Sequence, residues 1–195
     1  MARAKIEDER KEQILAAFEA CVIREGLAKT TLQKVADEAG LPRSLVRYFV
    51  GNRASMVDLL ITRMIKRATE AFAADRELSP GLSIHELVDF LFDQAMGDDT
   101  SNNVVGELWY LAQRDEAVRK NLSSLYQTLV ASLVEQMVNN EMGATDQQRQ
   151  AAAYVLMSLA YGDSSFAFLK LKTGDRKAAR HAAYAMTESL MSNNR

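Results

Sequence analysis

The sequence of 195 residues predicts an all-α protein. Apolar residues recur at helical spacing in most segments, and no segment alternates apolar and polar residues as a strand would. Helix-breaking residues are rare, with 2 prolines and 9 glycines, and 48% of the residues are apolar, which is ample for a buried core. Residues 1–53 are predicted to form a three-helix domain, and a long fourth helix joins it to a second helical domain over residues 54–195.

The first predicted helix runs from about Glu7 to Glu25, because Phe18 and Val22 lie on one apolar face. Gly26 follows its last turn, as glycine commonly does after a helix. Cys21, the single cysteine, occupies a core position of this helix. We therefore expect a buried thiol that acts as a small hydrophobe and forms no disulfide within the chain.

The next stretch, TTLQKVADEAGLPRSLVRYFV, holds two short amphipathic segments. Thr30 and Thr31 both suit the N-cap of the first segment, and Thr30 with Gln33 fits the capping-box pattern. Gly40 ends this segment, and Pro42 is predicted to begin the second, since the first helical position needs no N–H partner. Two short helices joined by a tight turn are typical of the helix-turn-helix motif, whose second helix enters the major groove of DNA.

The second segment places its polar residues on one side, opposite an apolar side made by Val46, Phe49 and Val50. Arg43 and Tyr48 bound a polar arc of about 140° at 100° per residue. Arginine bonds guanine through two hydrogen bonds, serine reaches base or phosphate, hydroxyls at helix ends bond phosphate, and an apolar side chain touches a thymine methyl. The predicted DNA-contacting residues are Thr31, Arg43, Ser44, Leu45, Arg47 and Tyr48. A plain three-helix bundle with a solvated cationic face is the alternative, which the pattern alone leaves open.

The longer stretch TTLQKVADEAGLPRSLVRYFVGNRASMVDLL resembles the DNA-binding segment of the TetR family of bacterial transcriptional regulators. The family pattern has a Thr at the start of the second helix and then Ile-Ala-x-x-Ala-Gly-Val-Ser. A recognition helix ending in Tyr-x-Tyr-Phe follows, with a Lys or Arg three residues later. Thr31, Val35-Ala36 and Ala39-Gly40-Leu41 match this pattern without a gap. The resemblance covers Glu12 to Leu60 and implies that Arg53 contacts a phosphate.

Three residues depart from the family pattern. Pro42 stands where a Ser normally caps the recognition helix, so that cap is supplied otherwise or lost. Arg47 replaces the usual first Tyr, which leaves open whether it contacts a base or a phosphate. Val50 replaces the Phe and keeps a core role with less volume.

The stretch ELSPGLS, from Glu77 to Ser83, is the clearest linker-like break. The fourth helix before it is predicted over about Arg53–Arg76. Later helices are predicted over about Ser83–Met96, Asn102–Arg114, Asp115–Asn139, Thr145–Lys172 and Asp175–Met191. Within them, GELWYLAQRDEAVRKNLSSLYQTLVASLVEQM loosely resembles BetI-like members of the same family, which implies a domain that binds a small effector and dimerises.

Aromatic and methionine residues of this domain predict an apolar effector pocket between helices. Its expected walls are Phe92, Trp109, Tyr126 and Met137, and Phe90, Met96 and Tyr110 belong to the same candidate set. Each of these residues has a plain core role as its alternative, and the sequence does not identify the effector.

The last two helices carry stripes that a single chain would leave uncovered. The first stripe comprises Val155, Leu159, Gly162, Phe166 and Leu169. The second consists of small residues that permit close approach of helices, namely Ala178, Ala182, Ala185 and Ser189. The resemblance implies that this pair of helices forms a homodimer interface, and a two-fold dimer suits a palindromic operator.

The charge is distributed unevenly along the chain. The formal net charge is −2, but residues 1–53 hold ten Lys/Arg against eight Asp/Glu, a balance of +2 that leaves −4 on the remainder. No apolar run reaches the ~18 residues that span a membrane. The N-terminal MARAKIEDERKEQ has no apolar segment typical of a signal peptide, so we expect a cytoplasmic protein.

The sequence lacks the spacing of a catalytic or cofactor site. His85 and His181 lie far apart, and neither has metal-ligand spacing around it. Ser164-Ser165 lack a nucleophile-elbow pattern, no glycine-rich phosphate loop is present, and Asp98-Asp99 lacks the partners of a metal site. We therefore expect a protein that is not an enzyme and that uses no cofactor and no metal.

The resemblance thus favours a dimeric, sequence-specific DNA-binding regulator, expected from family habit to be a repressor that a small-molecule effector releases from its operator. The alternative is a helical small-molecule-binding or adaptor protein that does not engage DNA. That alternative predicts a disrupted recognition face, whereas Arg43, Arg47 and Arg53 are all present.

Overall fold

The structure is a computed structural model that describes residues 2–78, 82–96, 99–143, 145–170 and 176–192. Helices fill almost all of these ranges and no strand occurs in them, which agrees with the predicted all-α fold. The helices are α1 Ala2–Glu25, α2 Leu32–Ala39, α3 Arg43–Val50, α4 Arg53–Leu78, α5 Ile84–Phe90, α6 Asp99–Ala112, α7 Glu116–Asn139, α8 Asp146–Phe168 and α9 Arg176–Ser192. A 3-10 turn, Leu27–Lys29, separates α1 from α2, and a π-helical turn, Leu91–Ala95, continues α5.

The differences from the predicted helices lie at their ends. α1 begins at Ala2 rather than near Glu7, and the residues before Glu7 include Ala, Arg and Lys, which have high helix propensity. The segment predicted as one helix from Ser83 to Met96 changes to π-helical geometry at Leu91. Outside the described residues lie the linker positions 79–81, Asp98, Lys172 and Asp175.

The chain divides into two compact units. The first comprises Met1–Ile65 and Asn103–Leu125, and the second comprises Lys66–Asn102 and Tyr126–Arg195. α4, α6 and α7 therefore each contribute residues to both units. These units are defined by how the chain packs. The predicted boundary between residues 53 and 54 instead separates a DNA-binding domain from an effector-binding and dimerisation domain, and it stays a prediction.

The first unit is built around α1, which packs against α2 and α3 while these two pack against each other. Phe18, Val35, Val46 and Leu60 are fully buried in this core, one from each of the first four helices. α2 and α3 have 8 residues each, too few to be stable alone in water, so packing holds them in place. Cys21 is buried among them, and this burial raises the pKa of its thiol.

A buried guanidinium fixes α4 against α1. Arg63 is only 8% exposed, and its Nε donates to Glu12 Oε1 at 2.7 Å while its Nη1 donates to Glu19 Oε2 at 2.6 Å. Glu19 is itself 8% exposed. Two charges removed from water are tolerated because each satisfies the other at hydrogen-bond distance.

In the second unit, α9 packs against α8 and α5. Arg180 of α9 donates to Asp89 at 2.9 Å and to Asp93 at 3.0 Å, and Tyr184 bonds the same Asp89. The hydrogen bond to Asp93 raises the pKa of Arg180, so this guanidinium stays charged. None of the helices in the described ranges is long and apolar enough to cross a bilayer.

The Arg63 cluster yields a stability prediction. Arg63→Ala should lower the free energy of unfolding by about 3–5 kcal/mol, because Glu19 would lose the guanidinium that neutralises its buried charge. Lys66→Ala is the matched control, since it removes a cation from an exposed pair with Glu70 and should cost at most about 1 kcal/mol. Urea unfolding followed by circular dichroism measures both variants, and equal losses would contradict the role given to Arg63.

Candidate nucleic-acid interface

The N-terminus of α2 is capped by Thr31. This residue has extended backbone angles, φ −115° and ψ 158°, and its hydroxyl accepts from the Lys34 N–H at 3.3 Å. The predicted capping box of Thr30 with Gln33 is wrong. Thr30 is buried and its hydroxyl donates to the Gly26 carbonyl at 2.9 Å, while the Gln33 amide donates to Asp37. The 3-10 turn uses Thr30, so the helix begins one residue later than that pattern requires.

The turn between α2 and α3 depends on Gly40, whose φ of 64° lies in the left-handed region. Its N–H bonds the carbonyls of the last turn of α2, and the Leu41 N–H bonds the Ala36 carbonyl at 2.9 Å. Pro42 is the N-cap of α3 and not its first helical residue, which corrects the prediction. Because proline has no side-chain acceptor, the N-cap hydrogen bond that a Ser would normally supply is lost. The Pro42 carbonyl accepts from the Leu45 and Val46 N–H groups and so begins the backbone hydrogen bonding of α3.

α3 presents its polar side to solvent. Arg43, Ser44 and Arg47 are exposed, Tyr48 is 71% exposed, and Leu45 is half-buried at the edge. The opposite side buries Val46 and Val50 completely and Phe49 in part. The arc expected from helical periodicity therefore faces away from the core, as a surface for reading DNA must.

The cations around this surface differ in their pairing. Within the described ranges, Arg43 and Arg47 have no hydrogen bond or ion pair. Lys34 is bound to Glu25, whose pKa this ammonium lowers, and Arg24 bonds Glu38 at 2.9 Å. The available positive charge of the helix-turn-helix is thus concentrated on α3.

Arg53, at the start of α4, is half-buried and already holds one partner. Its Nη2 donates to the Leu27 carbonyl at 2.7 Å. A guanidinium has five N–H donors, so this bond orients the side chain and leaves other donors for a phosphate. The phosphate contact itself stays a prediction.

A cavity of about 410 Å³ lies beside this turn, and no feature of the sequence predicted it. It is lined by the turn 25–29 together with Arg53, Glu107, Tyr110 and Leu111. Glu107 accepts from the Leu27 N–H at 2.7 Å across 80 residues of sequence, and no local pattern could have indicated that contact.

The predicted pocket residues fall in different surroundings. Phe92 and Met137 are buried, and Tyr126 is half-buried with its ring against Tyr161 at 6.0 Å between centroids; all three belong to the second unit. Trp109 is 45% exposed and belongs to the first unit. Of the wider candidate set, Phe90 and Met96 are buried and Tyr110 is 55% exposed. A pocket lined by Phe92, Trp109, Tyr126 and Met137 stays a prediction.

The stripes predicted for dimerisation lie on the outer sides of α8 and α9. In the single chain the residues of both stripes are half-buried or exposed. They are Val155, Leu159, Gly162, Phe166 and Leu169 on the first stripe, and Ala178, Ala182 and Ala185 on the second. Phe166 is 59% exposed. Tyr154, Phe168 and Met186 are also exposed, and the sequence analysis missed them. The stripe did not include Tyr154, because at 100° per residue this side chain lies about 80° from Gly162 and about 100° from Val155.

Two curated transcriptional regulators are similar to this chain in sequence. No family model matches the chain. The HTH-type transcriptional regulator BetI of Stenotrophomonas maltophilia is 24% identical over 155 residues, which cover 78% of this chain and 78% of that protein. The HTH-type transcriptional regulator BetI 2 of Chromohalobacter salexigens is 24% identical over 98 residues, 48% of this chain and 47% of that protein.

Solved structures share the fold. One described as a TetR-family transcriptional regulator, from Rhodococcus sp., has a TM-score of 0.76 and 20% identity, covering 95% of this chain and 100% of that one. A transcriptional regulator from Saccharomonospora viridis, in complex with choline, has a TM-score of 0.74 and 14% identity, covering 93% and 96%. At these identities the likeness shows a common fold.

A helix-turn-helix near the N-terminus of a chain whose described residues are almost all helical is an arrangement found in DNA-binding transcriptional regulators. The chain is similar in sequence to the HTH-type transcriptional regulators named BetI and shares its fold with structures described as TetR-family regulators, in agreement with the resemblance of its helix-turn-helix. The curated relatives are named as regulators and not as enzymes, which agrees with the prediction that this chain is not an enzyme.

Proposed function

We propose that this protein is a dimeric transcriptional repressor that binds a palindromic operator and is released from it by a small-molecule effector. The observation that carries the proposal is that Arg43 and Arg47 lie exposed on one side of α3 and make no hydrogen bond or ion pair with any residue that the structure describes. Arginines without internal partners gain most from a new anionic or hydrogen-bonding partner, because no existing ion pair has to break. DNA offers both kinds of partner, as phosphate oxygens and as guanine edges.

In this proposal each side chain of α3 has a role that its chemistry supports. Arg43 and Arg47 are long enough to reach the floor of the major groove, where a guanidinium bonds guanine O6 and N7 together. Ser44 and the Tyr48 hydroxyl bond base edges or phosphates, and Leu45 contacts a thymine methyl. Thr31 and Arg53 hold phosphates on either side and so set the register of α3.

Dimerisation follows from the uncovered sides of α8 and α9. Phe166 and Tyr154 expose 59% and 69% of their surface, which is unfavourable for large apolar side chains in water. Small residues on α9, such as Ala182, allow a second copy to approach closely. A two-fold dimer presents two copies of α3, and these match the two half-sites of a palindrome.

Effector release is proposed by analogy with the relatives and the fold. The Saccharomonospora regulator was solved in complex with choline, so this fold accommodates small cationic molecules. α4 is continuous from Arg53 to Leu78 and begins directly after α3. A ligand that binds better to one arrangement of α4 would therefore change the separation of the two recognition helices, through its differential affinity for the two states. Binding to operator DNA also requires a cytoplasmic protein.

A gel-shift series with DNA from upstream of the protein's own gene is the direct test of this function. A retarded, sequence-specific complex supports the proposal. Complete absence of specific binding favours the alternative, a small-molecule-binding or adaptor protein that does not engage DNA.

Arg43 and Arg53 should differ in how they contribute to DNA binding. Arg43→Ala should cost about 1–3 kcal/mol on the operator and relax one base preference. Arg53→Ala should weaken binding to all sequences about equally and lower the salt slope by about one unit. Arg119→Ala, an equal loss of charge at an exposed position of α7, is the control and should change neither. Unchanged affinity and preference in Arg43→Ala would refute its role in reading bases.

The dimer prediction concerns Phe166. Phe166→Glu should weaken dimerisation at least about tenfold, because a charge would be buried without a partner in the interface. Gln127→Glu adds the same charge at an exposed site on α7 and should leave the dimer intact. Light scattering across a concentration series measures both, and a stable wild-type monomer would remove the basis for a palindromic site.

The effector prediction uses Trp109, the single tryptophan. A compound found by thermal-shift screening should change Trp109 fluorescence and release operator DNA at matching concentrations. Operator DNA should weaken binding of that compound by the same factor, since linkage is reciprocal. Trp109→Phe should keep DNA binding and alter effector affinity. A compound that releases DNA yet binds Trp109→Phe with unchanged affinity would place the effector site away from Trp109.

A further inference from the structure

The turn between α1 and α2 is held from two sides by charged side chains of other helices. Glu107 of α6 accepts the Leu27 N–H through Oε2 at 2.7 Å. Arg53 of α4 donates from Nη2 to the Leu27 carbonyl, also at 2.7 Å. Both backbone polar groups of one residue are thereby bound by ionised partners, and such charge-assisted bonds are stronger than those between neutral groups.

Gly26, next to Leu27, lies beside the Glu107 carboxylate. Its φ of 80° is one that side-chain-bearing residues rarely adopt, whereas a Cβ at this position would make only ordinary contact with Glu107 Oε1, at 3.4 Å. The glycine carbonyl in turn accepts the Thr30 hydroxyl at 2.9 Å, and the next residue, Thr31, caps α2. A short, internally bonded segment therefore connects the Glu107 contact to the first turn of the helix-turn-helix.

Packing holds the side chain of Leu27, which is 3% exposed, but it does not fill the space beside the turn backbone. A cavity of about 410 Å³ lies there, and Tyr110 and Leu111 of α6 are among the residues that line it. Close-packed surfaces resist movement, whereas a backbone segment beside a cavity has room to shift. The two charged hydrogen bonds therefore add restraint to the Leu27 backbone, whose carbonyl also accepts the Thr30 N–H at 3.3 Å.

We propose that Glu107 is a positioning residue for DNA recognition. It holds the turn that orients α2, and α3 through α2, although it lies 80 residues from Leu27 in sequence. Because Glu107 belongs to α6, a displacement of α6 pulls directly on the start of the helix-turn-helix. This inference rests on the proposed DNA-binding function and adds to it a contact that adjusts operator affinity.

The test compares full-length wild type with three variants of Glu107 and one control. Glu107→Ala removes the acceptor, Glu107→Asp keeps the charge but withdraws the carboxylate by one methylene, and Glu107→Gln removes the charge but keeps an acceptor. Asn121→Ala is the control, because Asn121 joins α7 to Asp58 of α4 at 2.7 Å without contacting the turn. The measurements are amide hydrogen exchange of residues 27–39 and affinity for a palindromic duplex that the wild type enriches from a random-sequence pool.

Glu107→Ala and Glu107→Asp should speed amide exchange from Leu27 into α2 and weaken duplex binding by about tenfold, the scale of one hydrogen bond to a charged group. Glu107→Gln should recover most of the affinity and protection. Asn121→Ala should behave as the wild type in both measurements. If Glu107 acted only by repelling the DNA phosphates, removing its charge would have the same effect in Glu107→Ala and Glu107→Gln. Both variants would then bind the duplex more tightly than the wild type.

Three results would overturn the inference: unchanged exchange at Leu27 in Glu107→Ala, equal effects of Glu107→Ala and Glu107→Gln, or equal effects of Glu107→Ala and Asn121→Ala. If Glu107→Ala fails to fold, Glu107→Asp against Glu107→Gln makes the same comparison. A wild type that enriches no duplex would instead refute the proposed function, and the exchange measurement alone would then decide whether Glu107 holds the turn.

Discussion

Burial of one side of α3 is the constraint on which the proposed DNA-reading surface depends. A helix of 8 residues is not stable alone in water, so α3 exists because Val46 and Val50 are removed from water against α1 and α2. Once that side is fixed, the 3.6-residue period leaves Arg43 and Tyr48 in solvent. The reading surface is therefore a consequence of the core and needs no interaction among the exposed residues themselves.

Pairing decides which cations remain available on this surface. Arg24, Lys34 and Arg63 are each bound to carboxylates, whereas Arg43 and Arg47 have no such partner in the described ranges. Of the cations on α2 and α3, those of α3 are therefore the ones that no described carboxylate neutralises. Because screening limits electrostatic reach to about 10 Å, this local arrangement matters more for DNA than the net charge of −2.

In the second unit, α9 likewise has one buried side and one exposed side. Ion pairs of Arg180 with Asp89 and Asp93 fix the rotation of α9, and Ala183 is buried on the neighbouring side of that helix. Ala182 and its small neighbours are left outside as a result. Their size matters because an exposed stripe without bulky side chains lets a second helix approach closely, as the proposed dimer requires.

By itself the sequence determined the helices, the turn at Gly40 and the outer side of α3, because helical period and glycine conformation are local properties. It misjudged the capping box before α2 and the start of α3 at Pro42 by one residue, since the 3-10 turn and the loss of a side-chain cap depend on neighbouring structure. Only the tertiary structure decided that Glu107 holds Leu27. A hydrogen bond between residues 80 positions apart leaves no periodic trace in the sequence, because folding alone brings its two partners together.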